Sequence, residues 1–290
     1  MHYADYQTIL SPQNGMNIYR GCTHGCIYCD SRSACYQMKH DFEDIEVKRD
    51  APRILEAQLQ RRRRPCMVGT GAMSDPYMQL EEELRITRQC VALIERYGFG
   101  LAIQTKSARI LRDLDLLRAI NAKTKCVVQI TLTTWDEALC RTIEPNVSTT
   151  AERFAVLEAM RAAGIPTVVW LSPILPFIND TEENLYGILD YCLRAEVRGI
   201  LCFDFGVTLR QGDRAYFYKK LDEHFPGVKQ QYIRAFGNGY ACSSSNNARL
   251  MKIFYDVCRK HGMLCRPDEV FAYLRKFEAK ERQISLFERA

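Results

Sequence analysis

The sequence contains no long hydrophobic run. Nothing in its 290 residues approaches the roughly 18 uninterrupted apolar residues of a membrane-spanning helix. Residues 1–10 also lack a basic segment followed by an apolar run, so we expect no secretory signal. Apolar residues make up 47% of the chain and charged residues 26%, which is typical of a globular protein rather than a disordered or fibrous one. We therefore expect a soluble cytoplasmic chain with no membrane partner.

The sequence also has little net charge, since 40 basic residues face 35 acidic ones. Such a small surplus does not in itself indicate a nucleic-acid partner. Basic residues are nevertheless concentrated in Arg61–Arg64 and in the pairs Lys219–Lys220, Arg259–Lys260 and Arg275–Lys276. These runs suit phosphate contacts, but cations also favour the C-terminal ends of helices. Both interpretations stay open.

Cysteine, in contrast, is abundant. The 13 cysteines cannot all pair within one chain, and a chain of this size seldom depends on a disulfide scaffold. We expect a reducing compartment in which some thiols bind metal. The remaining thiols would be small core residues.

Short apolar segments alternate with helical patterns along the first two thirds of the chain. Four of the six predicted strands are rich in Val, Ile and Leu without strict alternation, as in strands buried on both faces. Repeated strand–helix units predict parallel strands joined by right-handed crossovers. Six units are too few for an eight-fold barrel, so the pattern predicts an α/β fold, either a partial barrel or an open doubly wound sheet. The predicted strands are 16–19, 66–71, 101–104, 126–132, 167–171 and 200–205.

The pattern changes after about Phe205. Residues 206–290 are predicted to be mostly helical, with an aromatic-rich segment at Tyr216–Tyr218 and loop signals at Gly237–Gly239. We therefore divide the chain into a strand–helix domain over 1–205 and a C-terminal helical extension over 206–290.

The strongest local signal is a loop of three cysteines, Cys22, Cys26 and Cys29, at the spacing Cys-x3-Cys-x2-Cys. Two glycines in the loop permit the tight turns that let three sulfurs converge. Thiolates are ligands for iron–sulfur clusters and for zinc, and three protein ligands leave one coordination position open for reaction. His24 could complete a zinc site, although structural zinc sites usually draw on two separated ligand pairs.

This loop, with Tyr28 directly before the third cysteine, resembles the signature of the radical S-adenosylmethionine superfamily. The resemblance implies that the three cysteines hold a 4Fe–4S cluster and that its open iron binds S-adenosylmethionine. It also implies a 5′-deoxyadenosyl radical that abstracts hydrogen from a substrate, a catalytic position for Tyr28, and an electron donor such as flavodoxin or ferredoxin. The family's partial (β/α)6 barrel of parallel strands agrees with the predicted units.

Further segments resemble the spore photoproduct lyase-like branch, whose members are often described as DNA repair photolyases. That resemblance implies that Ser74, Asp75, Lys106 and Thr131 contact S-adenosylmethionine, because hydroxyls and a lysine at strand ends can bind its carboxylate and ribose. Each could instead have an ordinary structural role, as turn, surface or strand residues. The matching segments are 69–77, 104–107, 130–134 and 143–145.

The sequence departs from the true spore photoproduct lyases at two positions. Those enzymes carry a hydrogen-returning cysteine where this chain has Ala72, and a tyrosine where it has Asp30. Both changes affect the return of hydrogen, so repair of the spore photoproduct itself is in doubt. Cys202, in the last predicted strand, could be a substitute catalytic donor or a core thiol.

The chain ends with a short motif, Gln283, Ile284, Ser285, Leu286 and Phe287, that resembles the peptide by which bacterial proteins bind the sliding clamp. Terminal peptides are often mobile and can become ordered on a partner by burying a few apolar anchors. The alternative is that the leucine and phenylalanine pack onto the C-terminal helices.

Three functions therefore follow from the sequence. The first is a radical S-adenosylmethionine enzyme acting on DNA, with a damaged pyrimidine as substrate, since a lesion is easier to extrude than a sound base. The second is the same chemistry on a peptide or small metabolite. The third is a clamp-associated DNA-binding protein whose iron–sulfur cluster is structural or redox-sensing.

Overall fold

The computed structural model describes residues 1–280. Its strands are β1 (His2–Ala4), β2 (Gly15–Met16), β3 (Tyr19–Arg20), β4 (Glu46–Lys48), β5 (Met67–Thr70), β6 (Gly100–Thr105), β7 (Cys126–Thr131), β8 (Thr167–Trp170), β9 (Gly199–Leu201), β10 (Gly206–Thr208) and β11 (Ala241–Ser243). Its helices are α1 (Ala51–Gln60), α2 (Glu81–Leu84), α3 (Ile86–Arg96), α4 (Leu114–Lys123), α5 (Glu137–Ile143), α6 (Thr150–Ala162), α7 (Glu182–Arg194), α8 (Asp213–His224), α9 (Val228–Phe236), α10 (Asn247–Lys260) and α11 (Pro267–Arg275). Short 3₁₀ segments occupy Asp30–Arg32, Ala34–Tyr36 and Ala108–Asp113.

A six-stranded parallel sheet forms the centre of the fold. Its strand order is β2-β5-β6-β7-β8-β9, and each neighbouring pair is parallel. A doubly wound sheet reverses its strand order at a switch point, whereas this order progresses in one direction. The α/β prediction is confirmed, and of its two alternatives the structure adopts the partial barrel.

The helices that follow the strands begin and end where local signals predict. At the start of α6 the Thr149 hydroxyl accepts from the backbone N–H of Glu152, and the Glu152 carboxylate accepts from the backbone N–H of Thr149. Every residue of β7 is buried, as expected for a strand covered on both faces. The carboxyl ends of these strands form one edge of the sheet, where ligands bind in such folds.

Two smaller sheets flank the central one. In the first, β1 pairs with β4 in parallel and β3 pairs with β4 antiparallel. In the second, β10 and β11 form an antiparallel pair that the sequence pattern did not predict, because strands of three residues carry almost no periodic signal. The rest of residues 206–280 is largely helical, as expected, and the boundary at residue 205 stays a prediction.

The C-terminal helices pack directly on the cysteine loop. One buried apolar cluster joins Ile27 and Tyr28 of the loop to Phe217 of α8 and Tyr232 of α9. The C-terminal part of the chain therefore helps to position the loop. Among the described residues, no helix is both long and apolar enough to cross a membrane.

Candidate active site

The cysteine loop is held by close backbone contacts. Gly21 has a φ of +85°, and a Cβ there would lie 2.4 Å from the carbonyl oxygen of Phe42. Only glycine fits this position without displacing backbone. The backbone N–H of Cys22 donates to the same Phe42 oxygen over 3.1 Å, so the segment before β4 fixes the first cysteine.

The three cysteines suit an iron–sulfur cluster better than a single ion. Four sulfurs around one zinc ion at 2.3 Å would lie only about 3.8 Å apart. The sulfurs of Cys22, Cys26 and Cys29 do not all lie within 4.8 Å of one another, so they are too far apart to surround one zinc ion. Burial and then the Asp75 carboxylate raise the pKa of Cys22 to about 12, so a positively charged metal centre would be needed to hold its thiolate.

His24, the alternative zinc ligand, points elsewhere. Its Nδ1 lies 3.5 Å from Asp75 Oδ2. Its Nε2 is buried and has no hydrogen-bond partner within the described part of the chain. An unpartnered polar atom beside the cysteines is consistent with a bound group that is needed to satisfy it.

Tyr28 is anchored by a buried ion pair. Its hydroxyl donates to the Glu144 carboxylate, and Glu144 Oε2 lies 2.5 Å from an Arg153 guanidinium nitrogen. Arg153 also donates to the backbone oxygen of Thr131 over 2.8 Å. Burial acts to raise the pKa of Glu144, but the charges of Arg153 and Lys106 outweigh it and lower the pKa. Glu144 is therefore an anion that ties the cysteine loop to α6 and β7.

Asp75 connects two strand ends. Its Oδ1 accepts from the backbone N–H of Tyr77 at 2.8 Å and from the Thr105 hydroxyl at 2.7 Å. Its Oδ2 accepts from the backbone N–H of Lys106 at 2.7 Å. The carboxylate thus organises the loops that carry the other predicted site residues. Neighbouring Ser74 has a buried hydroxyl with no hydrogen-bond partner among residues 1–280.

Two of the cavities beside the cysteine loop share part of their walls. The larger has a volume of about 470 Å³, within the range of small-molecule sites. The smaller, of about 280 Å³, includes Ser74. The two share Ser31, Tyr36 and Met73 in their walls. The larger cavity is lined by Tyr28, Cys29, Lys106, Trp170, Phe203 and Tyr240, among others.

The structure brings only some of the predicted residues to these cavities. Lys106 lines the larger cavity beside Cys29, and Ser74 lines the smaller one. Thr131, at the end of β7, is buried and its hydroxyl accepts a 3.5 Å hydrogen bond from Gln104. It lines neither cavity. Its contact with S-adenosylmethionine stays a prediction.

Cys202 is a core residue in this structure. It is fully buried, and its sulfur lies 3.9 Å from the sulfur of Met251 in α10. Burial raises the pKa of its thiol. It lines neither cavity, whereas Ala72 is exposed in the wall of the larger one. The hydrogen-return role considered for Cys202 therefore lacks a direct path to that cavity.

The sequence pattern missed the aromatic wall of the larger cavity. Trp170 and Phe203 lie 6.3 Å apart between ring centroids, and Tyr240 precedes β11. Phe203 is 53% exposed and Tyr240 is 49% exposed. Trp170 and Phe203 sit at or just beyond the ends of β8 and β9, so their position after predicted strands was a usable signal. Tyr240 had no such signal.

Other predicted features lie away from the cysteine loop or outside the described residues. Arg61–Arg64 follow the C-terminal end of α1 and are exposed. Arg259 and Lys260 end α10, and Arg275 ends α11. These positions suit the interaction of cations with helix ends. Residues 283–287, the clamp-binding motif, lie outside the described residues, and that motif stays a prediction.

Comparison with known proteins identifies the family to which the chain is similar. The sequence profile of the Radical SAM superfamily matches residues 16–189, more than half of the chain. An uncharacterized protein of Mycobacterium tuberculosis is 29% identical over 232 residues, which cover 77% of this chain and 67% of that protein. An uncharacterized protein of Methanocaldococcus jannaschii is 27% identical over 169 residues, which cover 58% of this chain and 62% of that protein.

Solved structures agree on the fold. Spore photoproduct lyase complexed with dinucleoside spore photoproduct has a TM-score of 0.57 and 14% identity, over 86% of this chain and 74% of that one. A mutant of that lyase with bound AdoMet and dinucleoside spore photoproduct has a TM-score of 0.55 and 15% identity, over the same shares. At this level of identity the likeness extends to the fold alone.

Proposed function

The chain belongs to the radical SAM superfamily, and from that premise we propose that it is an enzyme acting on DNA, with a damaged pyrimidine as its substrate. The cofactors of the family, a 4Fe–4S cluster and S-adenosylmethionine, are also the cofactors of this chain. When bound, they supply a radical that abstracts hydrogen from a substrate. The reducing cytoplasm would suit such an oxygen-sensitive centre.

The residues around the larger cavity have distinct tasks in this proposal. Cys22, Cys26 and Cys29 hold the cluster. The Lys106 ammonium, on the same cavity wall as Cys29, binds the carboxylate of S-adenosylmethionine. The free hydroxyl of Ser74 donates to a ligand in the adjoining cavity. Asp75 acts by holding the Lys106 backbone rather than by touching the ligand.

The observation that carries the DNA proposal is the aromatic wall of the larger cavity. Trp170, Phe203 and Tyr240 line the same cavity as Cys29 and Lys106. Aromatic side chains stack on any base, and each such contact contributes about 1–3 kcal/mol to binding. A damaged pyrimidine also costs less to extrude from the helix than an intact base pair does. An extruded lesion stacked on this wall would lie beside the radical source.

The decisive experiment separates cofactor chemistry from substrate choice. Anaerobic reconstitution with dithionite and S-adenosylmethionine should yield 5′-deoxyadenosine, and ultraviolet-irradiated DNA should increase the yield relative to undamaged DNA. Deuterium from labelled DNA should enter the nucleoside. If 5′-deoxyadenosine forms but no damaged DNA changes its yield or isotope content, DNA is not the substrate. If none forms although the cluster is intact, the enzyme proposal fails.

One observation favours a second candidate, the same chemistry on a peptide or small metabolite. Asp204 lines the larger cavity, and its carboxylate accepts from the Ser243 hydroxyl over 2.8 Å. No salt bridge to Asp204 occurs within residues 1–280 at up to 4.0 Å. A carboxylate without a cation would attract an amine rather than a phosphate. In that case Asp204→Asn would weaken the binding of the true substrate and strengthen the binding of DNA.

We also propose that residues 283–287 bind the bacterial sliding clamp, which would bring the enzyme to DNA. The support is the motif alone. A clamp-associated protein with a structural or redox-sensing cluster remains the contrasting hypothesis, and it predicts clamp binding without cleavage of S-adenosylmethionine.

A further inference from the structure

A second group of ligand-type side chains lies outside the two cavities. His2 begins β1, and His40 and Asp44 lie in the segment that leads into β4. One ligand atom from each of the three side chains lies within 4.8 Å of the other two. The closest approach is 2.9 Å, between His2 Nδ1 and Asp44 Oδ2. Residues about 40 positions apart in sequence therefore meet through the pairing of β1 with β4.

The hydrogen bond of His40 leaves one of its ring nitrogens with a free lone pair. Its Nδ1 lies 3.0 Å from the backbone oxygen of Asp41. A carbonyl only accepts, so Nδ1 carries the proton and Nε2 has a free lone pair. His40 Nε2 is a buried atom with no hydrogen-bond partner in the described part of the chain. Leaving such an atom unpaired costs free energy, and a metal ion would satisfy it.

We propose that His2, His40 and Asp44 bind a Zn²⁺ ion. Two imidazoles with one carboxylate select a transition metal over Mg²⁺ or Ca²⁺, and three protein ligands leave the fourth tetrahedral position for water. The carbonyl contact at His40 Nδ1 is the outer interaction that commonly orients a metal-bound histidine. The His2 and Asp44 side chains are 39% and 42% exposed, so both can adjust to the short distances of zinc coordination.

A second carboxylate supports the charge of the ion. Glu46 Oε2 lies 3.7 Å from His2 Nε2 and 3.9 Å from His40 Nε2. Asp44 and Glu46 thus place two negative charges at the site, where the Met1 ammonium lies 2.7 Å from Asp44 Oδ1 and the Arg20 guanidinium lies 3.9 Å from Glu46 Oε1. The zinc ion would displace the ammonium. Within the same carboxylate, Glu46 Oε1 accepts from the Tyr6 hydroxyl over 2.6 Å, so this side chain is already fixed in place.

The ion would brace the segment that holds the cysteine loop. His40 and Asp44 flank Phe42, and the Phe42 oxygen accepts from the backbone N–H of Cys22. Zinc bound to these residues would join β1 to the segment that leads into β4. The ion would therefore act on the cysteine loop through Phe42.

Zinc retention tests the site. The full chain, loaded with its iron–sulfur cluster and purified with a histidine-free tag, is incubated with zinc, desalted and analysed for metal. It should retain about one zinc ion per chain. His40→Ala and Asp44→Asn should each weaken zinc binding by more than ~10-fold. His261→Ala is the matched control, since His261 is exposed at the end of α10, and it should bind zinc as the parent does.

X-ray absorption at the zinc edge keeps the test valid if a variant misfolds. The unsubstituted chain should show nitrogen and oxygen ligands at about 2.0–2.1 Å and no sulfur. Sulfur ligands would mean that zinc occupies the cysteine loop instead, and this would overturn the proposal. Failure of the unsubstituted chain to retain zinc, or equal retention by all variants, would overturn it as well. None of these readouts depends on the substrate of the enzyme.

Discussion

The guanidinium of Arg210 lies 3.2 Å from the carboxylate of Asp30. Asp30 directly follows the third cysteine, and Arg210 lies between β10 and α8. Arg210 also donates to the Tyr240 hydroxyl over 2.8 Å, while the Tyr36 hydroxyl donates to Asp30 over 2.8 Å. A polar chain, three of whose members line the larger cavity, therefore joins the cysteine loop to the C-terminal part.

Replacing Arg210 should affect the binding of substrate more than the stability of the fold. The Asp30 and Arg210 side chains are 33% and 39% exposed, and such ion pairs contribute about 0–1 kcal/mol. Arg210→Gln should leave cluster iron and the unfolding midpoint nearly unchanged while raising the KM for substrate. Arg266→Gln, a paired arginine elsewhere, is the control. A large loss of cluster iron in Arg210→Gln would show instead that the pair holds the cysteine loop.

The three cysteines of the loop should be required for binding of the iron–sulfur cluster. The other cysteines should not be required. Alanine at Cys22, Cys26 or Cys29 should abolish the bound cluster, measured as iron per chain and visible absorption. Cys202→Ala should keep the cluster and the cleavage of S-adenosylmethionine, because its sulfur packs against Met251. Its expected cost is on the order of 1 kcal/mol of stability. If Cys202→Ala cleaves S-adenosylmethionine but forms no substrate product, the thiol has a catalytic role after all.

Breaking the buried Glu144–Arg153 pair should destabilise the fold strongly. Both side chains are fully buried, and removal of one partner of such a pair costs about 3–5 kcal/mol because an uncompensated charge remains. We expect this loss in urea denaturation of Glu144→Gln and of Arg153→Met. The double variant should recover part of it, since no unpaired charge is left. Additive losses in the double variant would contradict a direct interaction.

The aromatic wall should contribute to DNA binding but not to cofactor binding. Phe203→Ala and Tyr240→Ala should each weaken binding of damaged DNA by about 1–3 kcal/mol. The yield of 5′-deoxyadenosine without DNA should stay unchanged. Tyr186→Ala is the matched control, because Tyr186 in α7 is 51% exposed and Phe203 is 53% exposed. Equal effects of the three substitutions would remove the aromatic wall from the DNA proposal.

The C-terminal motif should bind the sliding clamp independently of the enzyme's chemistry. Alanine at Leu286 and Phe287 removes the two apolar anchors and should abolish clamp retention in a pull-down. Cluster iron and cleavage of S-adenosylmethionine should not change. Arg289→Ala, in the same segment but outside the motif, is the control and should retain the clamp. Retention of the clamp by the double variant would rule out this use of the motif.

Local sequence was enough to predict the strands of the central sheet and the loop of three cysteines. The six strands were placed to within a few residues, because a parallel strand buried on both faces needs a continuous apolar run. The capping box at Thr149 and the cysteine loop were readable because all their parts lie within a few residues of one another. The cofactors followed from the resemblance of that one loop to the signature of a known family.

Only the tertiary structure decided which distant residues meet. Asp30 and Arg210 are 180 positions apart, and Tyr240 reaches the cavity through a strand pair too short to leave a periodic pattern. The same holds for His2 and His40, which the pairing of β1 with β4 brings together. Thr131 and Cys202 illustrate the converse. Both lie in predicted strands, but the pleat of a strand and the packing of a helix against it, rather than position along the chain, decide whether a side chain faces the cavity or the core.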